Sequence, residues 1–122
     1  MARNRASAKK AGTAAETAVA NYLARVLADD RIERRAKTGA ADRGDIGGVR
    51  HMGGRVVIEV KNVTTLALAQ WVGEAITEAG NDDAICGLVI HKKRGTTNPA
   101  DWYVTTTVNE LVGLLTGQYP TR

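Results

Sequence analysis

The chain has 122 residues with 17 Lys and Arg against 13 Asp and Glu, a net charge of +4, and 43% hydrophobic and 25% charged residues. That is the make-up of one globular domain with a modest core and a surface suited to a polyanion. No apolar run approaches the ~20 residues that span a bilayer. No signal-peptide core follows the basic N-terminus, and the single Cys86 excludes an intrachain disulfide or a cysteine metal cluster. A cytoplasmic protein without membrane partners is expected.

Residues 1–8 are small, polar and basic, and read as a flexible tail ahead of a single domain over 9–122. Ala15, Ala18, Val19, Tyr22, Leu23 and Val26 recur at three- and four-residue spacing and predict a helix over 9–28, ended by Asp29 and Asp30. A first strand is expected over 31–38, a turn over 39–43 and a second strand over 45–50. A hairpin turn at Gly53 and Gly54 leads into a third strand over 55–62. Residues 66–79 read as a helix with Leu68, Ala69, Val72, Ala75, Ile76 and Ala79 on one face. Thr64 and Thr65 would cap it, and Gly80 and Asn81 would close it. Trp71 falls off that stripe, as an edge-packing residue or an exposed anchor at a dimer interface.

The unbroken apolar run over 84–91 predicts a strand buried on both faces, with Cys86 an inert thiol inside it. A basic loop over 92–100, a strand over 102–107 and a short helix over 109–115 ended by Gly117 complete the chain. The helix between the third and fourth strands is long enough to cross over between parallel neighbours. The expected fold is therefore α/β: a mixed central sheet of about five strands flanked by helices.

Three places carry chemistry. On the third strand, Glu59 and Lys61 alternate onto one side, while Val56, Ile58 and Val60 take the other. Asp45 lies on the segment just before it. Two carboxylates and an ammonium suit a metal-dependent phosphodiester hydrolase, the acids holding a divalent cation and the Lys assisting a water or phosphate. An ion pair between Glu59 and Lys61 at a strand edge is the purely structural alternative. Glu16 aligns at 100° per residue with Ala20, Leu23 and Leu27. A carboxylate on an apolar stripe is costly unless it is paired or bound to a cation; near a helix start it is also favoured by the dipole.

Asp45 followed by Glu59-Val60-Lys61 resembles the PD-(D/E)XK nuclease superfamily, with Gly44 where the motif usually has Pro. With Gly12, Ala15 and Glu16 on the first helix and Gln70 on the second, the chain is similar to the archaeal-type Holliday junction resolvases and their phage relatives over roughly residues 9–92. The resemblance implies a restriction-endonuclease-like core and a homodimer that cuts two strands of a four-way junction symmetrically, leaving 5′-phosphates, in recombination and repair. It implies Asp45, Glu59, Lys61 and Glu16 as catalytic residues. It also implies a Mg²⁺ site made by Asp45, Glu59 and the Val60 backbone carbonyl, with Glu16 bound directly or through water and Mn²⁺ able to substitute. A phage origin would place the protein in the host cytoplasm.

Candidate DNA contacts are Arg3, Arg5, Lys9, Lys10, Arg35, Arg43 and Gln70, then Lys92, Lys93 and Arg94. With no Phe, two Trp and three Tyr, the composition points to backbone-directed binding of duplex rather than base stacking. Gly39 and Gly44 bracket the loop before Asp45. His51 reads as a surface residue, and His91 as a DNA contact rather than a metal ligand. Two other readings remain open. One is a nicking, restriction-like or repair endonuclease on the same fold; the other is a non-catalytic basic DNA-binding module.

Overall fold

A computed structural model of the chain describes residues 4–35 and 44–122. Arg3, Arg43, Gly39 and the second half of the first predicted strand lie outside the described residues.

The first helix, α1 (Arg5–Val26), starts earlier than its apolar periodicity suggests. Asn4 supplies the reason: its side chain accepts a hydrogen bond from Ser7 N–H at 2.8 Å, so the small, helix-compatible residues 5–8 join the helix instead of a tail. Two short strands follow, β1 (Glu33–Arg34) and β2 (Ile46–Gly47), paired antiparallel. The expected second strand is broken at Gly48, whose φ of +88° turns the chain. Its remainder, β3 (Arg50–His51), forms a hairpin with β4 (Gly54–Lys61). His51 pairs with Gly54, so the turn is Met52-Gly53, one residue earlier than expected, and both take positive φ as a tight two-residue hairpin requires.

The crossover helix α2 (Leu68–Asn81) connects β4 to β5 (Cys86–His91). These two strands pair in parallel over six residue pairs, from Val56 with Cys86 to Lys61 with His91. A 3₁₀ turn (Pro99–Asp101), the strand β6 (Tyr103–Thr105) and α3 (Val108–Thr116) complete the chain. The α/β expectation holds: among the described residues, six strands form a mixed sheet in the order β1-β2-β4-β5-β6, with β3 on the end of β4, flanked by three helices.

Burial on both faces defines the centre of the sheet. Val56, Ile58 and Val60 pack with Ala15, Val19 and Ala20 of α1 on one side. Val57 and Val89 meet Ala79, Trp71, Val72 and Ala75 of α2 on the other. The buried face of α2 is thus rotated from the expected one. Leu68 and Ala69 are exposed, while Trp71 is only 5% exposed and Glu78 is buried. Trp71 belongs to the core against the His91 ring, 5.7 Å between centroids, and is not an exposed dimer anchor. Nor do Thr64 and Thr65 cap α2. Its N-cap is Ala67, which makes no side-chain cap bond.

The approach of α2 to β5 depends on Gly87. A methyl group there would collide with the Ala75 carbonyl oxygen and come within 2.9 Å of Ala79 Cβ. Gly87→Ala is expected to destabilise the domain by about 3 kcal/mol, a fall in Tm of roughly 10 °C measurable by calorimetry. The same residue marks where β5 outruns its neighbour, because β6 pairs only with Val89, Ile90 and His91. Side chains satisfy the bare backbone. Gly87 N–H donates to Glu110 Oε1 at 2.7 Å, and Thr106 Oγ1 donates to the Gly87 carbonyl at 2.6 Å. Glu110, 1% exposed, is neutralised by Arg122, which also donates to the Ala84 carbonyl at 2.8 Å. Arg122→Ala strands that carboxylate and is expected to cost about 3 kcal/mol in denaturant titration.

Candidate active site

The segment before β2 positions the first acid. Gly44 has φ of +93°, and a side chain there would press within 2.9 Å of Val57 Cγ1. Proline, locked near −65°, cannot make this turn. Asp45 N–H then donates to the Ile58 carbonyl at 2.9 Å, and Asp45 Oδ2 accepts from Val60 N–H at 2.7 Å. Asp45 is thereby fixed against the C-terminal half of β4, the half that carries Glu59 and Lys61.

Glu59 is 3% exposed, because α2 covers the face of β4 on which it stands. It is not a solvent-facing partner of Lys61. The nearest carboxylate to Lys61 Nζ is that of Glu74 on α2, at 4.0 Å. Glu59 sits instead among other acids. Burial raises its pKa most, and the charge of Asp45 and a hydrogen bond with Glu78 raise it further. Its Oε2 is buried without a hydrogen-bond partner. Glu16 approaches from α1, one position beyond the buried Ala15. Its pKa is raised to about 7, first by burial and then by Asp45, while Arg34 pulls the other way. Arg34 Nε lies 3.5 Å from Glu16 Oε2.

Glu16, Asp45, Glu59, Val60 and Lys61 line one cleft of about 480 Å³, with Lys9 and Arg34 at its wall. The four residues singled out as catalytic from sequence therefore converge, although they come from three separate stretches of chain. Sequence reasoning missed two neighbours. Glu78 was hidden because the α2 stripe was drawn without Trp71; on a stripe set by Trp71, Ala75 and Ala79 it falls among buried positions. Arg34 was not singled out, because nothing local marks it as the partner of a residue 18 positions away.

A second cleft of about 650 Å³ adjoins the first and shares Asn62 and Val63 with it. It gathers Lys92, Lys93 and Arg94. His91, which also lines it, is held by Thr105 Oγ1 at 2.8 Å, and burial lowers its pKa. Other expected DNA contacts are placed variously. Arg5 and Lys10 are exposed on α1. Gln70 is exposed on the first turn of α2 and lines neither cleft. Arg35 is turned elsewhere, its Nη1 3.9 Å from the buried Asp82 carboxylate that Arg55 also contacts. A buried carboxylate draws guanidinium groups to itself. His51 is exposed at the hairpin, as expected.

Among the described residues, no group of three or more His, Cys, Asp or Glu side chains is arranged to hold a metal ion by itself. The donor chemistry nonetheless fits Mg²⁺, which takes one or two carboxylates and keeps several waters. Asp45, Glu59 and a backbone carbonyl of the same cleft would supply that set, and the buried Glu59 Oε2 has no hydrogen-bond partner. No helix among the described residues is long and apolar enough to cross a membrane. Comparison with protein-family models, curated proteins and solved structures finds no match to this chain.

Proposed function

We propose that this chain is a Mg²⁺-dependent DNA endonuclease of the PD-(D/E)XK type that acts on four-way junctions. The observation that carries the reading is the convergence of Glu16, Asp45 and Glu59 with Lys61 in one cleft. Burial and mutual repulsion there push the Glu16 and Glu59 pKa values upward. Acids gathered at such cost are characteristic of functional sites rather than of a stabilising network. A surface ion pair between Glu59 and Lys61 would leave this cluster without a purpose.

In this reading Asp45, Glu59 and the Val60 carbonyl hold the cation, and Glu16 completes the site directly or through water. When bound, Mg²⁺ supplies a nucleophile at neutral pH and offsets charge on the phosphate; Mn²⁺ is expected to substitute. Asp45 is kept in place by the Val60 N–H. Lys61, 24% exposed at the cleft, orients the attacking water or stabilises the added charge at phosphorus. Lys9, Lys92, Lys93 and Arg94 extend a cationic path on either side for the DNA backbone.

Paired cuts call for two such sites, and α3 offers a face for a second copy. Val108, Leu111, Val112 and Leu115 follow i, i+3, i+4, i+7 spacing, yet are 77%, 42%, 50% and 68% exposed. The stripe carries no charge, so two copies can meet there without repulsion despite the net +4. Val112→Glu is expected to convert a dimer to a monomer in sedimentation, with the circular dichroism spectrum unchanged. A monomeric wild type would remove this interface.

The test of substrate is a labelled four-way junction beside linear duplex of matched sequence. Symmetric paired nicks on the junction alone support the reading. Equal cutting of both substrates indicates a nuclease of broader specificity.

A further inference from the structure

The cleft beside the carboxylate site is lined by two unlike sets of side chains. Lys92, Lys93 and Arg94 supply positive charge. Val63, Leu66 and Tyr103 supply apolar surface, at 52%, 65% and 51% exposure. A groove for the backbone of continuous duplex needs only the cations, because duplex keeps its bases inside. Cations and an exposed aromatic ring in one cleft fit a nucleotide whose base is unpaired, the phosphate against the cations and the base against the ring.

The ring is held for such a contact. Trp71, His91 and Tyr103 form a ladder from the core to the cleft, with centroids 5.7 and 5.6 Å apart. Trp71 is anchored in the core, His91 is fixed by Thr105, and Tyr103 sits across the β5–β6 pair from His91. Tyr103 therefore presents an exposed ring on a rigid support, so little conformational freedom is lost on stacking. The volume, about 650 Å³, suits a nucleotide. The two clefts share Asn62 and Val63, which follow directly after Lys61, so the second cleft adjoins the carboxylate site.

We propose that this cleft is a subsite for an unpaired nucleotide next to the scissile phosphate, stacked on Tyr103 and neutralised by Lys92, Lys93 and Arg94. The substrate is then DNA in which a base next to the cut is out of its pair: a fork, or a four-way junction whose branch-point pair opens on binding. The proposal rests on the nuclease reading for the meaning of the neighbouring site. Binding to the subsite does not require cleavage, so the two can fail separately.

The test is binding in metal-free buffer. The probe is a forked duplex carrying 2-aminopurine at the first unpaired position, compared with the same sequence fully paired. The wild type should bind the fork several-fold more tightly and quench the 2-aminopurine emission through stacking. Tyr103→Ala should abolish the quenching and weaken fork binding about ten-fold, leaving duplex affinity as in the wild type. Tyr103→Phe, which keeps the ring, should behave as wild type. Equal affinity of the wild type for the two DNAs, unquenched emission, or quenching that persists in Tyr103→Ala would each overturn the subsite. Loss of cleavage in Mg²⁺ with the quenching intact would instead reject the nuclease reading and leave the subsite standing.

Discussion

Lys61→Ala is expected to lower the rate of junction cleavage by at least about a hundred-fold, the usual scale for losing one preorganised group that stabilises transition-state charge. Junction affinity should change by no more than about three-fold, because one phosphate contact among many is lost. The separation follows from the placement of the residue. Lys61 ends β4 at the lip of the cleft, partly exposed, and its ion pair with Glu74 is long, at 4.0 Å. A long, partly exposed ion pair contributes little to stability, so the variant should fold with a Tm close to that of the wild type. Gel-shift and single-turnover cleavage on the same junction measure both quantities. Normal cleavage by Lys61→Ala would remove the Lys from the mechanism.

The second large effect is a coupling of pH, metal and stability. Glu16 has its pKa raised to about 7 and Glu59 is raised further, so the folded metal-free protein favours their neutral forms. For a carboxyl raised in the folded state, its contribution to stability is full below the unfolded value near 4.5 and is lost as pH rises through the folded value. Metal-free Tm should therefore fall between pH 5 and 8. Mg²⁺ should reverse the fall, since a ligand bound only by the folded state stabilises it by about 2.7 kcal/mol at a hundred times its Kd. The Tm gain should be larger at pH 8 than at pH 6, where protons compete, and binding should release protons. Glu59→Gln removes the charge while keeping the shape. It should raise metal-free stability at pH 8 by about 2 kcal/mol and abolish the Mg²⁺-induced gain. A flat pH profile with no Mg²⁺ effect would mean that the carboxyls do not gather as described.

The β-branched run of β4 and the unbroken apolar run of β5 were readable because central strands of a parallel pair need little beyond hydrophobic residues. Helix faces were harder. On α2, Leu68 and Ala69 drew the stripe to one side, whereas the structure buries Trp71 and Glu78 and leaves Leu68 outside. A large aromatic and a buried acid follow from what β5 offers Trp71 and β4 offers Glu78, which composition along the helix does not contain. The start of α1 turned on one Asn cap, and the break between β2 and β3 on one glycine with positive φ. Of the site, the Asp, the Glu-x-Lys pair and the Glu on α1 could be singled out by residue type and spacing. Arg34 and Glu78 could not, because each reaches the cluster only through tertiary packing. The aromatic ladder was likewise invisible to a count of aromatics, since three rings spread over 33 positions become neighbours only when β5 and β6 pair.

Cleavage of a labelled four-way junction in Mg²⁺ and in EDTA, with Glu59→Gln alongside the wild type, tests most directly whether these carboxylates form a metal-dependent hydrolytic centre. Cutting by the wild type in Mg²⁺, absent in EDTA and absent from a folded Glu59→Gln, is the expected result. Cutting that survives EDTA or the substitution, or tight junction binding with no cutting in either Mg²⁺ or Mn²⁺, would contradict it.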